Sequence, residues 1–134
     1  MSYDLTVQYD EDFSESARLG EVMDWLLAQP GVSFYGTDYF VLDLPEKTLW
    51  MGMDVAVSDG EGREAEFDCI EAHIPYGFLG EQPERDYFPL LFGLAERLGW
   101  QVFDAQEGAA ILPQSEGTET ERRVRRTDFF TGLE

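Results

Sequence analysis

TLWMGMDVAVSDGEGREAEFDCIEAHI, residues 48–74, decides the fold. Leu49, Met51, Met53, Val55 and Val57 share one side of an alternating run, and Trp50, Gly52, Asp54, Ala56 and Ser58 share the other. Alternation of period two with one apolar side marks a half-buried strand. Ser58-Asp59-Gly60-Glu61-Gly62 is a hairpin loop, built from residues that turn readily. Glu64 to Ile74 returns as the partner strand, and its pattern changes sides near Cys69-Ile70, which predicts a β-bulge.

Working outward, Tyr3, Leu5, Val7 and Tyr9 alternate with Asp4, Thr6 and Gln8, a second half-buried strand. Leu19, Val22, Met23, Leu26 and Leu27 follow helical spacing after a cap at Ser14 or Ser16, and Gln29-Pro30-Gly31 stops the helix. Residues 32–44 read as extended, with a kink or turn near Gly36-Thr37-Asp38 and an end at Pro45. Tyr87 to Leu98 is a second helix with Phe88, Leu91, Leu94, Ala95 and Leu98 inward, and Gly99 stops it. Gln101–Asp104 and Ala109–Leu112 form a last strand or a short hairpin. The resulting order, β-α-β-β-β-α-β, predicts an α+β fold: a ferredoxin-like split β-α-β sandwich, with an antiparallel sheet and two helices on one face. The other sheet face is then open, and Trp50, Asp54, Glu66 and Asp68 point that way.

Charge is the second strong signal. The 134 residues carry a formal net charge of −19. Residues 1–112, read as one acidic domain, hold 23 of the 28 acids and 5 of the 9 Lys and Arg. Residues 113–134 form a polar and then basic tail with Arg122, Arg123, Arg125 and Arg126, followed by Phe129-Phe130. Such charge on a folded body works against compactness and draws positively charged partners. It opposes nucleic acid and anionic lipid. Apolar residues make up 43% of the chain, enough for a core, so the high charge does not imply disorder. No stretch reaches the ~20 apolar residues of a membrane span, and Met1-Ser2-Tyr3-Asp4-Leu5-Thr6 lacks the basic and apolar regions of a signal peptide. The single Cys69 makes no disulfide within the chain, which fits the cytoplasm.

Catalytic and metal motifs are not found. Asp59-Gly60-Glu61-Gly62-Arg63-Glu64 lacks the ligand spacing of a calcium loop. Cys69 and His73 lack a second ligand pair for zinc. His73 beside Asp68 or Glu71 has the makings of an acid–base pair, but a lone histidine at a strand end reads first as structural. No cofactor, metal or catalytic residue is therefore assigned, and the chain is read as a non-enzyme. The candidate partner-binding residues are Tyr39, Trp50, Asp54, Asp59, Glu61, Glu64, Glu66 and Asp68. Glu64, Glu66 and Asp68 would follow one another along one strand face about 7 Å apart. Tyr39 and Trp50 would supply aromatic anchors, unless either belongs to the core.

Ala95, Leu98, Gly99, Val102, Phe103, Asp104, Gln106 and Gly108 match the pattern A-x-x-L-G-x-x-V-[FY]-D-x-Q-x-G. Over residues 94–108 the chain resembles small bacterial α+β proteins encoded beside polymorphic toxins, immunity proteins among them. That resemblance implies an immunity protein occluding a co-encoded toxin, which agrees with an acidic surface awaiting a basic partner protein. Two other readings stand beside it. One is a small-molecule or regulatory module with an apolar pocket near Tyr76-Gly77-Phe78. The other is a DNA mimic whose carboxylates are spaced like phosphates. The acid also has a bland source in a salt-adapted proteome, and one Lys against eight Arg fits a GC-rich or salt-adapted genome. The arginine-rich tail would fold back on its own domain or on a neighbouring chain, which offers a route to a homodimer.

Overall fold

The computed structural model describes residues 2–36 and 38–111. The arginine-rich tail, Phe129-Phe130 and the homodimer contact expected of them lie outside these residues. Eight strands form one antiparallel sheet: β1 (Ser2–Gln8), β2 (Ala17–Arg18), β3 (Val32–Tyr35), β4 (Tyr39–Leu44), β5 (Leu49–Asp59), β6 (Glu66–Pro75), β7 (Gln101–Asp104) and β8 (Ala109–Ile111). Their order is β3-β4-β5-β6-β1-β7-β8, with β2 paired to β6. Three α-helices accompany them, α1 (Leu19–Leu27), the single turn α2 (Pro83–Asp86) and α3 (Phe88–Leu98).

The α+β class and the antiparallel sheet are as expected, and three features go beyond the expected order, of which the short β2 paired to β6 is one. Residues 32–44 make two strands rather than one, because the turn at Gly36 and Asp38 lets β3 fold back on β4. Pro83, suited to the first turn of a helix, opens a third helix ahead of α3. The meander β3–β6 therefore has four strands, and β1 is inserted between β6 and β7.

Alternation decides which side of each strand is dry. Leu5, Val7, Phe40, Leu42, Met51, Met53, Val55, Ile70, Ala72, Ile74 and Val102 form one core with Leu19, Val22 and Leu26 of α1 and Phe88, Leu91, Leu94 and Ala95 of α3. Trp25 of α1 lies over Gly93 of α3, where an added Cβ would stand 2.7 Å from the indole, so a glycine is required for the helices to approach this closely. The expected bulge is present. Between Val55↔Ile70 and Val57↔Phe67, β6 spends three residues where β5 spends two, so Phe67 and Ile70 both face the core.

Local expectations that fail do so for identifiable reasons. Glu64 is not in a strand; Gly62–Glu64 is a 3₁₀ turn, and β6 begins at Glu66. The turn is held by Arg63, which forks the Asp24 carboxylate with contacts of 2.9 and 3.0 Å and so ties the hairpin tip to α1. Neither Ser14 nor Ser16 caps α1. The Asp10 carboxylate takes the Ser14 hydroxyl and backbone N–H at 2.6 and 3.0 Å, and helix entry passes to Arg18, whose N–H donates to Glu21 at 3.1 Å. Leu27 is exposed rather than inward, at the last position of the helix. Tyr9 lies beyond the end of β1 and is exposed. Thr48 adopts a left-handed conformation (φ 56°) and precedes β5 instead of starting it.

Within residues 94–108, Gly99 and Asp104 have structural tasks. Gly99, at φ 74°, ends α3. Asp104 accepts the N–H groups of Gln106 and Glu107 and the hydroxyl of Tyr3 at 3.1 Å, which closes the β7–β8 turn and joins it to β1.

Tyr87 performs a similar task for the open side of the molecule. It is wholly buried, donates to the Phe78 carbonyl at 2.5 Å and accepts the Trp50 N–H at 3.2 Å. Its hydroxyl thus binds the 3₁₀ turn Tyr76–Phe78 to the start of β5. Tyr87→Phe removes two part-buried hydrogen bonds and should lower stability by about 0.5–1.5 kcal/mol. The check is the denaturant midpoint, and an unchanged midpoint would show that the hydroxyl does not hold these segments together.

Candidate functional site

The side of the sheet turned away from the helices is the candidate site. On β4, Tyr39, Val41 and Asp43 project there; on β5, Trp50, Gly52 and Asp54; on β6, Glu71 and His73; on β1, Asp4 and Thr6. The pairing sets their neighbours. Asp43 is opposite Trp50, Val41 opposite Gly52, and Tyr39 opposite Asp54. Gly52 is in turn opposite His73, and Asp54 opposite Glu71. His73 is opposite Asp4.

An aromatic strip crosses this face. Tyr39 leans across Gly52, and its hydroxyl lies 3.3 Å from His73 Nε2. A Cβ at Gly52 would stand 2.2 Å from the Tyr39 hydroxyl and 2.6 Å from that nitrogen, so the contact requires glycine beneath it. The Tyr39 and His73 rings are 6.2 Å apart and nearly parallel, at 28°. Trp50 is 6.3 Å from His73 and 6.4 Å from Phe78. Tyr39, Trp50 and His73 are each partly buried, Phe78 is 37% exposed, and Tyr35 and Tyr76 nearby are 56% and 48% exposed. Tyr39 and Trp50 are thus outside the helix-side core. Burial, and then the charge of Asp54, hold the Tyr39 hydroxyl above its ordinary pKa, so it stays protonated beside His73 at neutral pH.

Among the described residues, the acids around this strip form no internal ion pair. Asp43, Asp54 and Glu71 are exposed, and among the described residues they accept no side-chain hydrogen bond and join no ion pair. Among the described residues, no strand apart from β2, with Arg18, contains Lys or Arg. The four arginines among the described residues are used elsewhere: Arg18 faces Glu64 at 3.6 Å, Arg63 binds Asp24, Arg85 binds Asp86, and Arg97 donates to the Glu21 carbonyl. Acid is not confined to this face, since Glu21, Asp24, Glu84 and Glu96 lie on the helices. What distinguishes the sheet face is acid with aromatic surface and without a cation from its own strands.

Of the residues singled out by sequence, Tyr39, Trp50 and Asp54 come together here. Glu66 and Asp68 flank inward-facing Phe67 and point away from the helices as expected, but Asp68 sits at the bulge. Asp59, Glu61 and Glu64 belong to the hairpin tip, five residues along the strand from Asp54 in the case of Asp59, or roughly 16 Å. The even run of Glu64, Glu66 and Asp68 along one strand face does not exist, because Glu64 lies in the 3₁₀ turn. Asp43, Glu71 and His73 join the site although sequence analysis did not assign them to it. The inward alternation of Phe40, Leu42 and Leu44 is the signal that would have turned Asp43 outward.

Cys69 is buried beside Gln8, and burial, with Glu71 and Asp68 adding to it, pushes its thiol pKa up to about 12, so it is no nucleophile at neutral pH. Among the described residues no three His, Cys, Asp or Glu side chains are grouped so as to hold a metal ion. Among the described residues no helix is long and apolar enough to cross a membrane. A cavity of about 510 Å³ lies between Asp10–Asp12 and Phe103 with Ala110, and one of about 410 Å³ beside Phe92, Trp100 and Ile111. Neither is lined by Tyr76, Gly77 or Phe78, where a small-molecule pocket was expected. No family model, curated protein or solved structure matches the chain.

Asp54 and Glu71 are like charges directly across β5 and β6, an arrangement that weakens a sheet. Asp54→Asn should therefore raise stability by about 0.2–1 kcal/mol, and the gain should shrink at high salt as the repulsion is screened. Thermal melts at low and high ionic strength check this. A loss of stability would mean that the carboxylate serves the fold.

Proposed function

We propose that this chain is a cytoplasmic binding protein that neutralises a basic partner protein, best read as an immunity protein occluding a co-encoded toxin. The observation that carries the reading is the open sheet face. It combines Asp43, Asp54 and Glu71 with Tyr39 and Trp50, and its strands supply no cation to them. We read the architecture as a ferredoxin-like split β-α-β enlarged by the four-stranded meander. Insertion of β1 between β6 and β7 supports this, as does the placing of α1 and α3 on the two long connections. In that arrangement one sheet face is the natural docking surface.

The mechanism is occlusion. A toxin that grips phosphate must present Lys and Arg, and the acidic face meets them while steering raises the rate of encounter. Exposed ion pairs contribute only about 0–1 kcal/mol each, so tight inhibition needs the aromatic strip to seal the centre. Large aromatic side chains in water-excluded patches dominate such interfaces. The DNA-mimic reading is less well supported, because its regular line of carboxylates along one strand is missing.

The test is to purify the chain from its native cells, identify the bound protein and titrate the purified pair. The reading expects a basic protein whose affinity falls with salt. Asp54→Asn with Glu71→Gln should weaken it at least about tenfold, and Trp50→Ala should cost about 2 kcal/mol or more of binding. An acidic or neutral partner, or affinity indifferent to all three substitutions, would overturn it.

A further inference from the structure

We infer that the strip on the open face selects arginine over lysine, so that the partner is recognised through arginine side chains laid on Trp50 and Tyr39. This rests on the proposed capture of a basic protein and specifies its chemistry. Carboxylates alone do not discriminate the two cations well. Lysine carries a compact, strongly hydrated charge, whereas the guanidinium is flat, weakly hydrated and able to fork a carboxylate while stacked on an aromatic ring.

The face offers both halves of that recognition at neighbouring positions. Asp43 is directly opposite Trp50, and Asp54 is directly opposite Tyr39. Side chains at such paired positions leave their strands about 4.5–5.5 Å apart, so a guanidinium within about 6 Å of either ring centre lies within reach of the adjacent carboxylate. Both carboxylates are exposed and uncommitted among the described residues. The rings are held from below and from the side. Gly52 lets the hydroxyl end of Tyr39 cross β5 to reach His73, and Phe78 and His73 flank Trp50. Tyr87 fixes the Phe78 carbonyl and the Trp50 N–H through one hydroxyl. The stacking surface is therefore in place before a partner arrives, which lowers the ordering entropy lost on binding.

The test is calorimetric titration of the full chain with an all-arginine and an all-lysine peptide of equal length at low ionic strength. The arginine peptide should bind about five- to tenfold more tightly, as expected when stacking is added to charge. Trp50→Ala should bring the two affinities close together while changing the lysine affinity little. Gly52→Ala should do the same through displacement of Tyr39 and His73, with every charge intact and circular dichroism confirming the fold. Equal affinities for the two peptides, or a preference that survives both substitutions, would overturn arginine selection and leave the capture of a basic protein standing. Failure of both peptides to bind would overturn the acidic docking face itself.

Discussion

The pairing of β5 with β6 is the constraint on which everything else depends. It places Met51, Met53 and Val55 against the helices and, by the same alternation, turns Trp50, Gly52 and Asp54 to the opposite side. Register in such a pair is enforced by burial: a slip of one residue would carry Asp54 into the core and the methionines into water. The bulge between Val55 and Val57 preserves this division along a long hairpin. By spending one extra residue, β6 keeps both Phe67 and Ile70 inward, and Glu66 and Asp68 remain on the outer side.

The outer face carries a net electrostatic liability. Its carboxylates oppose one another across strands, and among the described residues Arg63 ties α1 to the hairpin tip while Arg97 ties it to α3. Helix-side and loop acids such as Asp10, Asp24 and Asp104 are bound by internal donors, whereas Asp43, Asp54 and Glu71 are not, among the described residues. Two of them, Asp10 and Asp24, have pKa values lowered by those donors. Helix acids such as Glu84 and Glu96 are likewise exposed and without an internal donor among the described residues, so the sheet acids are set apart by the aromatic surface beside them. The aromatic strip shows the same logic in apolar form, since Tyr39 and Trp50 are only partly covered although a helix-side core was available.

Much of this was legible in the chain itself. Alternation from Leu49 to Val57 and the change of side at Cys69 are strong signals because burial imposes them on individual residues. Glu64 was misplaced because its position is decided by Arg63 reaching Asp24, a contact across 39 residues. The Ser14 cap was lost because the Ser14 hydroxyl and N–H donate back to the Asp10 carboxylate, a local turn that helical spacing does not record. Trp50 and Asp54 were readable from parity alone. Asp43 was harder to read because apolar Val41, buried on the outer face, sits between Phe40 and Leu42 and obscures the alternation they share with Leu44. The meeting of Tyr39 with His73 spans three strands and depends on the missing side chain of Gly52, which no local pattern records.

The most direct test of the account is carboxyl footprinting, with carbodiimide coupling read by mass spectrometry, on the chain alone and bound to its partner. Asp43, Asp54 and Glu71 should label readily in the free chain and be protected in the complex, while the helix acids Glu84 and Glu96 should label equally in both. Protection of the helix acids with continued labelling of the three sheet acids would place the docking surface on the other side of the molecule and contradict the account.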